Sequence, residues 1–184
     1  MPAGDVSLRS ARPADRDLLR LWDSRPHVIV AAGEDGDFDW EFELPRRVAW
    51  RELLIAEEAG RPVGFLQIID PAEEETHYWG EIGPNLRAID IWIGEEADLG
   101  RGLGTAMMAL AIGRCFADAA VEAVLIDPLA SNARAHRFYE RLGFTLVGPR
   151  TFGPDHCLVY RLDRQTWRRS SPSRSRRQGR LSPT

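Results

Sequence analysis

At 184 residues, the chain is long enough for one domain with a sizeable core and short for two. Its 43% apolar content is ordinary for a globular protein, and no apolar stretch approaches the roughly 18–20 residues that span a bilayer. The formal charge is −4, but seven arginines and no acid fall within residues 164–184, so the body before them carries −11. A strongly acidic body repels nucleic acid and attracts polycationic ligands. All 24 basic residues are arginine, which a GC-rich coding bias explains. Met1-Pro-Ala-Gly-Asp5 has no basic segment followed by an apolar run, which points away from secretion. Cys115 and Cys157 lack metal-ligand spacing and read as buried thiols of a reducing compartment, so a cytoplasmic protein is expected.

Residues 6–12 alternate as a strand, and 13–22 follow as a helix with Pro13 in its first turn. Residues 26–48 read as irregular, acidic and aromatic, with Asp35, Asp37, Asp39 and Glu41 set around Phe38, Trp40 and Phe42. Two strands, 50–58 and 63–70, are joined through Ala59-Gly-Arg-Pro62 as a hairpin. Acidic residues 73–75 open a loop that ends near Gly83-Pro-Asn85, and 86–93 form a further strand. A glycine-rich loop and a helix to about Ala119 come next. Residues 123–126 are apolar throughout, as suits a buried strand in a parallel pair. A connection over 127–132 leads to a helix at 133–142 closed by Gly143. Strands at about 145–149 and 157–162 flank a turn at Gly153-Pro-Asp155. The order predicts a mixed sheet covered by helices, with no internal repeat. From Gln165 onward, serine, arginine and proline dominate and only Trp167 and Leu181 are large and apolar, which predicts a disordered tail. The expected organisation is a domain over 1–163 and an Arg/Ser-rich tail over 164–184.

The stretch Leu99-Gly-Arg-Gly-Leu-Gly-Thr105 carries the most chemistry. Its glycines let the backbone approach a ligand closely, and it opens into a helix whose N-terminus offers free N–H groups and a positive dipole end. That combination binds phosphate. The four histidines are too scattered for a metal site, and none is expected.

That loop, taken with Ile126-Asp-Pro-Leu-Ala-Ser-Asn-Ala-Arg-Ala-His-Arg-Phe-Tyr-Glu-Arg-Leu-Gly-Phe144, closely resembles the GNAT superfamily of N-acetyltransferases. Within it the chain is similar to the aminoglycoside 6′-N-acetyltransferases, over roughly residues 6–163. Leu99 stands where the superfamily usually has Gln or Arg, and Leu-Gly-basic-Gly-Leu-Gly-Thr matches the version in the aminoglycoside group. The resemblance implies an α+β, three-layer GNAT fold whose mixed, mostly antiparallel central sheet is flanked by helices. It implies acetyl-CoA as co-substrate and no metal. Its pyrophosphate would lie on the N–H groups of Gly100, Arg101, Gly102, Leu103, Gly104 and Thr105 after Leu99, with Arg101 as a cation and Thr105 adding a hydroxyl. The pantetheine arm would run along backbone groups of Ile91, Trp92 and Ile93, and Asn132 would reach it from the other side. Asn132 can equally cap its helix, and the two roles are compatible.

The same resemblance assigns Tyr139 as the general acid that protonates the departing thiolate. Unperturbed phenol and thiol pKa values differ by only about 1.5 units, which suits that role. Asp90, an acid amid Ile89 and Ile91, is the candidate to hold the substrate ammonium and take its proton. Glu75, His77, Tyr78 and Asp127 are further substrate-binding candidates. Tyr78 and Trp79 would wall in sugar rings or cover a sheet edge. His77 with Asp90 forms a secondary catalytic pair by similarity to siderophore-related acyltransferases. The acidic segment 26–48 is expected to help form the substrate pocket. The expected partner is a small cationic molecule, most simply an aminoglycoside antibiotic whose acetylation gives resistance. Membranes and nucleic acid are not expected as partners, and the chain would be a monomer or homodimer. The alternatives are an acyltransferase on a hydroxylated lysine siderophore precursor or on a protein amine. A third is a non-catalytic CoA-fold protein whose arginine tail binds nucleic acid or an anionic membrane.

Overall fold

The computed structural model describes residues 5–33 and 38–170. Seven strands form one sheet: β1 (Val6–Ser10), β2 (Arg51–Glu58), β3 (Arg61–Ile69), β4 (Leu86–Ile93), β5 (Ala123–Ile126), β6 (Thr145–Phe152) and β7 (Asp155–Asp163). Their spatial order is β1-β2-β3-β4-β5-β7-β6, and every neighbouring pair is antiparallel except β4 and β5. The mixed, mostly antiparallel α+β sheet expected from the sequence is therefore present. The β2–β3 hairpin turns in two residues, Ala59 (φ 51°) and Gly60 (φ 79°), with Glu58 opposite Arg61. Two successive positive φ angles give a turn whose twist matches that of the strands it joins.

One face of the sheet carries the principal core. Here α4 (Leu103–Cys115) and α5 (Ala133–Arg141) cover it, and α4 buries Leu103, Met107, Met108, Ala111, Ile112 and Cys115 at helical spacing. The opposite face carries two smaller cores side by side. An aromatic one gathers Trp22 of α1 (Arg16–Asp23), Trp40 of α3 (Trp40–Glu43), Phe65 and Trp92. The other lies under the loop between β3 and β4 and holds Trp79, Leu86, Ala88 and Phe152. Cys115 and Cys157 are both buried, as the sequence suggested. Among the described residues, no helix is long and apolar enough to cross a membrane.

Two expectations are corrected. Residues 26–48 are not irregular throughout: α2 (Pro26–Ala32) and α3 lie within them, and the Asp39 carboxylate caps α3 by accepting from the N–H groups of Glu41 (3.1 Å) and Phe42 (3.3 Å). Glu41 faces Arg16 and Arg20, while Asp35 and Asp37 lie outside the described residues. The expected tail also begins too early, because Arg164–Ser170 form a further helix, α6, with Trp167 packed against the principal core. The guanidinium of Arg164 explains why the chain stays docked. It donates to the carbonyls of Val121 (2.6 Å), Phe116 (2.9 Å) and Asp118, just past the C-terminus of α4, and lies over the Phe116 ring. The remainder of the expected tail, 171–184, lies outside the described residues.

The Phe116 carbonyl lies at the C-cap of α4 without a helical partner, and the charge-assisted bonds to it and to the Val121 and Asp118 carbonyls are the main contribution of Arg164. An Arg164→Ala variant is expected to lose about 2–3 kcal/mol of unfolding free energy, a typical cost for hydrogen bonds to a charged group, measurable by urea denaturation.

Candidate active site

The site arises from the way β4 alternates. The Gly94 N–H donates to the Val63 carbonyl (3.0 Å), which sets the hydrogen-bonded pairs with β3 at the even-numbered residues. Ile89, Ile91 and Ile93 therefore turn their backbone polar groups to the other edge. There β5 pairs only with Leu86, Arg87 and Ala88. Beyond Ala88 that edge has no strand partner, and at its far end His27 Nε2 donates to the Ile93 carbonyl (2.9 Å). The backbone of Ile91 stands on the open part between.

Side chains alternate as well. Ile89, Ile91 and Ile93 point into the principal core. On the other face Leu86 and Ala88 join the core under the β3–β4 loop, Trp92 joins the aromatic core, and Asp90 falls in the seam between them. On β3, Phe65, Gln67 and Ile69 repeat the pattern, with Gln67 directly opposite Asp90.

A cavity of about 380 Å³ opens at this polar rung. Phe38, Trp50, Tyr78 and Trp92 supply aromatic wall, and Glu74, Asp90, Asp127 and Asp155 supply carboxylates. Arg51 is the one cationic side chain among the lining residues, and it is paired with Glu43. Asp90 lies deep in the fold and keeps partial solvent contact through the cavity. Burial pushes its pKa up, against a hydrogen bond from Gln67 Nε2 (2.5 Å). Asp127 is pushed up to about 7, first by burial and then by the Asp90 charge, with smaller opposing effects from Tyr78 and Arg150. The Tyr78 hydroxyl donates to Asp127 Oδ2 (2.9 Å), and its ring stacks on Phe152 at 4.4 Å. Glu74 has the reverse balance. Burial opposes its charge, but the N–H groups of Thr76 (2.7 Å) and Tyr78 (2.9 Å) outweigh it and hold the carboxyl below its usual range.

Tyr139 reaches the same centre from the α5 face. It is 8% exposed, with its ring between Phe138 and Phe144. Burial raises its pKa, and the charges of Asp90 and Asp127 raise it further. Asn132 caps α5, its Oδ1 accepting from the Ala135 N–H (3.0 Å). Gly100 (φ 76°) and Gly102 (φ 85°) take the left-handed conformation that favours glycine. At Gly100 an added Cβ would meet open space, so the loop surface ahead of α4 is clear. Leu103 is wholly buried in the principal core, and Thr105 is exposed in the first turn of α4.

Three side chains do not stand where the sequence suggested. His77 is exposed, at positive φ, outside the cavity lining, and the partner of Asp90 is Gln67, so no His77–Asp90 pair forms. The bonds that Glu74 accepts curl the loop and bury Glu74 in place of its neighbours. Glu75 is exposed, with its carboxylate on Arg46 and on Trp50 Nε1 (3.3 Å). Arg101 does not stand free for phosphate, since it spans Asp98 (2.5 Å) and Glu58 (2.9 Å), with Arg61 on the same two acids. Gln67, Glu74, Trp50 and Asp155 were not anticipated. Gln67 alone carried a signal, as the one strongly polar side chain in the run from Val63 to Ile69.

A sheet that parts beside a glycine loop and helix N-terminus, with carboxylates at the parting, defines an acyl-transfer fold. A model of the acetyltransferase (GNAT) domain matches residues 12–152, and the chain belongs to the GNAT acetyltransferase family and is an acyltransferase. Its relatives include an aminoglycoside N(6′)-acetyltransferase type 1 of Klebsiella pneumoniae, 31% identical over 175 residues, covering 90% of this chain and 86% of the relative. A kanamycin resistance protein of Rhizobium radiobacter is 36% identical over 99 residues, 53% of this chain and 91% of that protein. Among solved structures, aminoglycoside acetyltransferase AAC(6′)-Ib in complex with coenzyme A and kanamycin superposes with a TM-score of 0.81. It is 29% identical, with 90% of this chain and 99% of that one covered.

The raised Asp127 pKa has a stability consequence. The folded chain keeps that proton up to about pH 7, whereas an unperturbed aspartate releases it near 3.8. Between those values the folded state binds more protons than the unfolded one, so stability falls as pH rises. Asp127→Asn is expected to remove this penalty. Its melting temperature should gain a few degrees over wild type at pH 8 and little at pH 4, where about 1 kcal/mol corresponds to 2–4 °C for a domain of this size.

Proposed function

We propose that the chain transfers the acetyl group of acetyl-CoA to the 6′-amine of an aminoglycoside, an activity that gives antibiotic resistance. The observation that carries this reading is the cavity at the polar rung. It has carboxylates on several sides, aromatic walls, and a single lining cation that is already paired. Such a site suits a polycationic amino sugar, and the names of the relatives point the same way. Two buried cysteines without metal-ligand spacing suit a reducing compartment and support a cytoplasmic protein.

The donor site fits acetyl-CoA. Beyond Ala88 the open edge of β4 offers unpaired backbone groups at Ile91, beside Trp92 and Ile93, to an extended amide-bearing arm. N–H groups from Gly100 to Thr105 lie on an open loop surface at the start of a 13-residue helix, as an anionic pyrophosphate requires. Arg101 then acts by bracing the loop through Asp98 and Glu58, and the backbone supplies the anion contacts. Asn132 spends Oδ1 on the helix cap and keeps its amide nitrogen for the donor arm. Bound acetyl-CoA supplies an activated acyl thioester.

Asp90 holds the substrate ammonium and takes one of its protons, which exposes the nitrogen lone pair for attack. A carboxylate raised by burial is a better base than an exposed one. Asp127, steered by Tyr78, anchors the amino sugar beside it. From the opposite face, Tyr139 gives its hydroxyl proton to the departing sulfur. Burial weakens the phenol as an acid and equally disfavours a thiolate, so the transfer stays closely matched. Glu75 and His77 are exposed outside the cavity lining and act on distal parts of the substrate.

Incubation of the purified chain with acetyl-CoA and kanamycin is expected to release free thiol stoichiometrically with amide formation. Release only with a hydroxylated lysine precursor would replace the aminoglycoside with that acceptor. Tyr139→Phe is expected to lower turnover roughly 10²–10⁴-fold, and near-normal turnover would remove the phenol from the reaction. Asp90→Asn is expected to abolish use of the amine while CoA binding persists, and equal loss of both would make Asp90 structural.

A further inference from the structure

Gln67 has a feature that its role as a strand residue does not account for. It is 6% exposed, lines the cavity, and spends Nε2 on Asp90 (2.5 Å), while its Oε1 is buried with no hydrogen-bond partner among the described residues. A buried carbonyl oxygen without a donor costs folding free energy, and buried polar groups in native proteins are ordinarily satisfied. Here the neighbours above and below on β3, Phe65 and Ile69, are apolar, as are Ala88 and Trp92 on β4. None of them donates to it, and the Trp92 indole N–H is itself buried and makes no bond to this oxygen. A ligand in the cavity is the group placed to meet this oxygen.

Resting on the aminoglycoside reading above, we infer that Gln67 Oε1 and the Asp90 carboxylate form a paired acceptor for the reacting nitrogen, and that Gln67 thereby selects an amine over a hydroxyl. An ammonium group has three N–H donors. One proton passes to Asp90, and the neutral amine still has two, so the bond to Gln67 persists while the lone pair turns to the thioester. A hydroxyl has a single O–H donor: given to Asp90 it leaves the Gln67 oxygen buried and unpaired, and given to Gln67 it leaves the carboxylate with its Nε2 bond alone. This asymmetry is the one by which a polar site rejects an analogue that cannot complete its hydrogen bonds. The Nε2 bond adds to it, because it orients the amide so that the oxygen, and not the nitrogen, is left over.

The test uses two aminoglycosides that differ only in carrying a 6′-amine or a 6′-hydroxyl, with affinities measured by calorimetry on the full chain. Wild type is expected to prefer the amine by at least tenfold. In Gln67→Met, of similar length and without polar atoms, the preference should fall about tenfold, the equivalent of one hydrogen bond to a charged group. The decisive comparison repeats Gln67→Met in an Asp90→Asn background. A contact of Gln67 with the nitrogen predicts that the amine still loses affinity several-fold while the hydroxyl compound changes little. No further loss in that background, or equal losses for both compounds, would show that Gln67 acts only through Asp90 and would overturn the inference. If the Met variant fails to fold, a wild-type preference below about threefold overturns it on its own. A wild-type chain that binds and acetylates neither compound instead overturns the aminoglycoside assignment.

Discussion

The organisation of this protein depends on β4 losing its partner partway along its length. β5 follows β4 in parallel for three residues and is then drawn to the other side. Its continuation stays on β7: the Leu158 N–H donates to the Pro128 carbonyl (3.0 Å), Leu129 bridges Cys157, and the Ala130 N–H donates to the His156 carbonyl (2.7 Å). Pro128 has no N–H with which to rejoin β4. Once the chain commits to β7, the sheet must part between Ile89 and Ile126. A parted sheet would expose backbone groups and core on both faces, so α5 closes one face and the two minor cores close the other. The cavity is the seam those cores leave, and the groups proposed to react are the polar side chains that fall in it.

Seen from that parting, the two halves of the site are made of different material. In the proposed reaction, donor recognition belongs to the backbone: the open edge of β4, two left-handed glycines and the first turn of α4. The charged side chains near it, Arg61, Arg101, Glu58 and Asp98, neutralise one another and hold the loop in shape. The proposed substrate recognition belongs to side chains, mostly acidic or aromatic. A change of substrate therefore needs only new side chains in the seam, whereas a change of donor would require a new backbone path.

Much of this was legible in the sequence because local and global signals agreed. The alternation of Leu86 to Ile93 placed one acid among isoleucines, and that residue lies at the cavity floor. Gly100 and Gly102 marked a backbone conformation that few other residues adopt. What was hidden depended on long-range partners. Residues 26–48 form helices because Trp40 and Phe38 find Phe65 and Trp92, none of which is near in sequence. Glu74 and Glu75 are indistinguishable until the loop chooses which carboxylate receives its N–H groups. Arg164 looked like the first residue of a basic tail, yet it serves carbonyls at 116, 118 and 121. Gln67 stood out only as the polar residue of its strand, since its meaning lies in an oxygen that no described residue meets.

The two cysteines acquire a practical role from their burial. Cys115 sits in the principal core, its thiol pushed up to about 12, and Cys157 is 4% exposed beside the cavity. A thiol that reagents cannot reach reacts slowly with disulfides. The folded protein is thus nearly silent to a colorimetric thiol probe, which would register coenzyme alone. On unfolding, the same probe would count two new sulfhydryls per chain. Turnover and loss of the native state can then be followed in one cuvette with one chromophore, separated by whether the signal tracks substrate or denaturant.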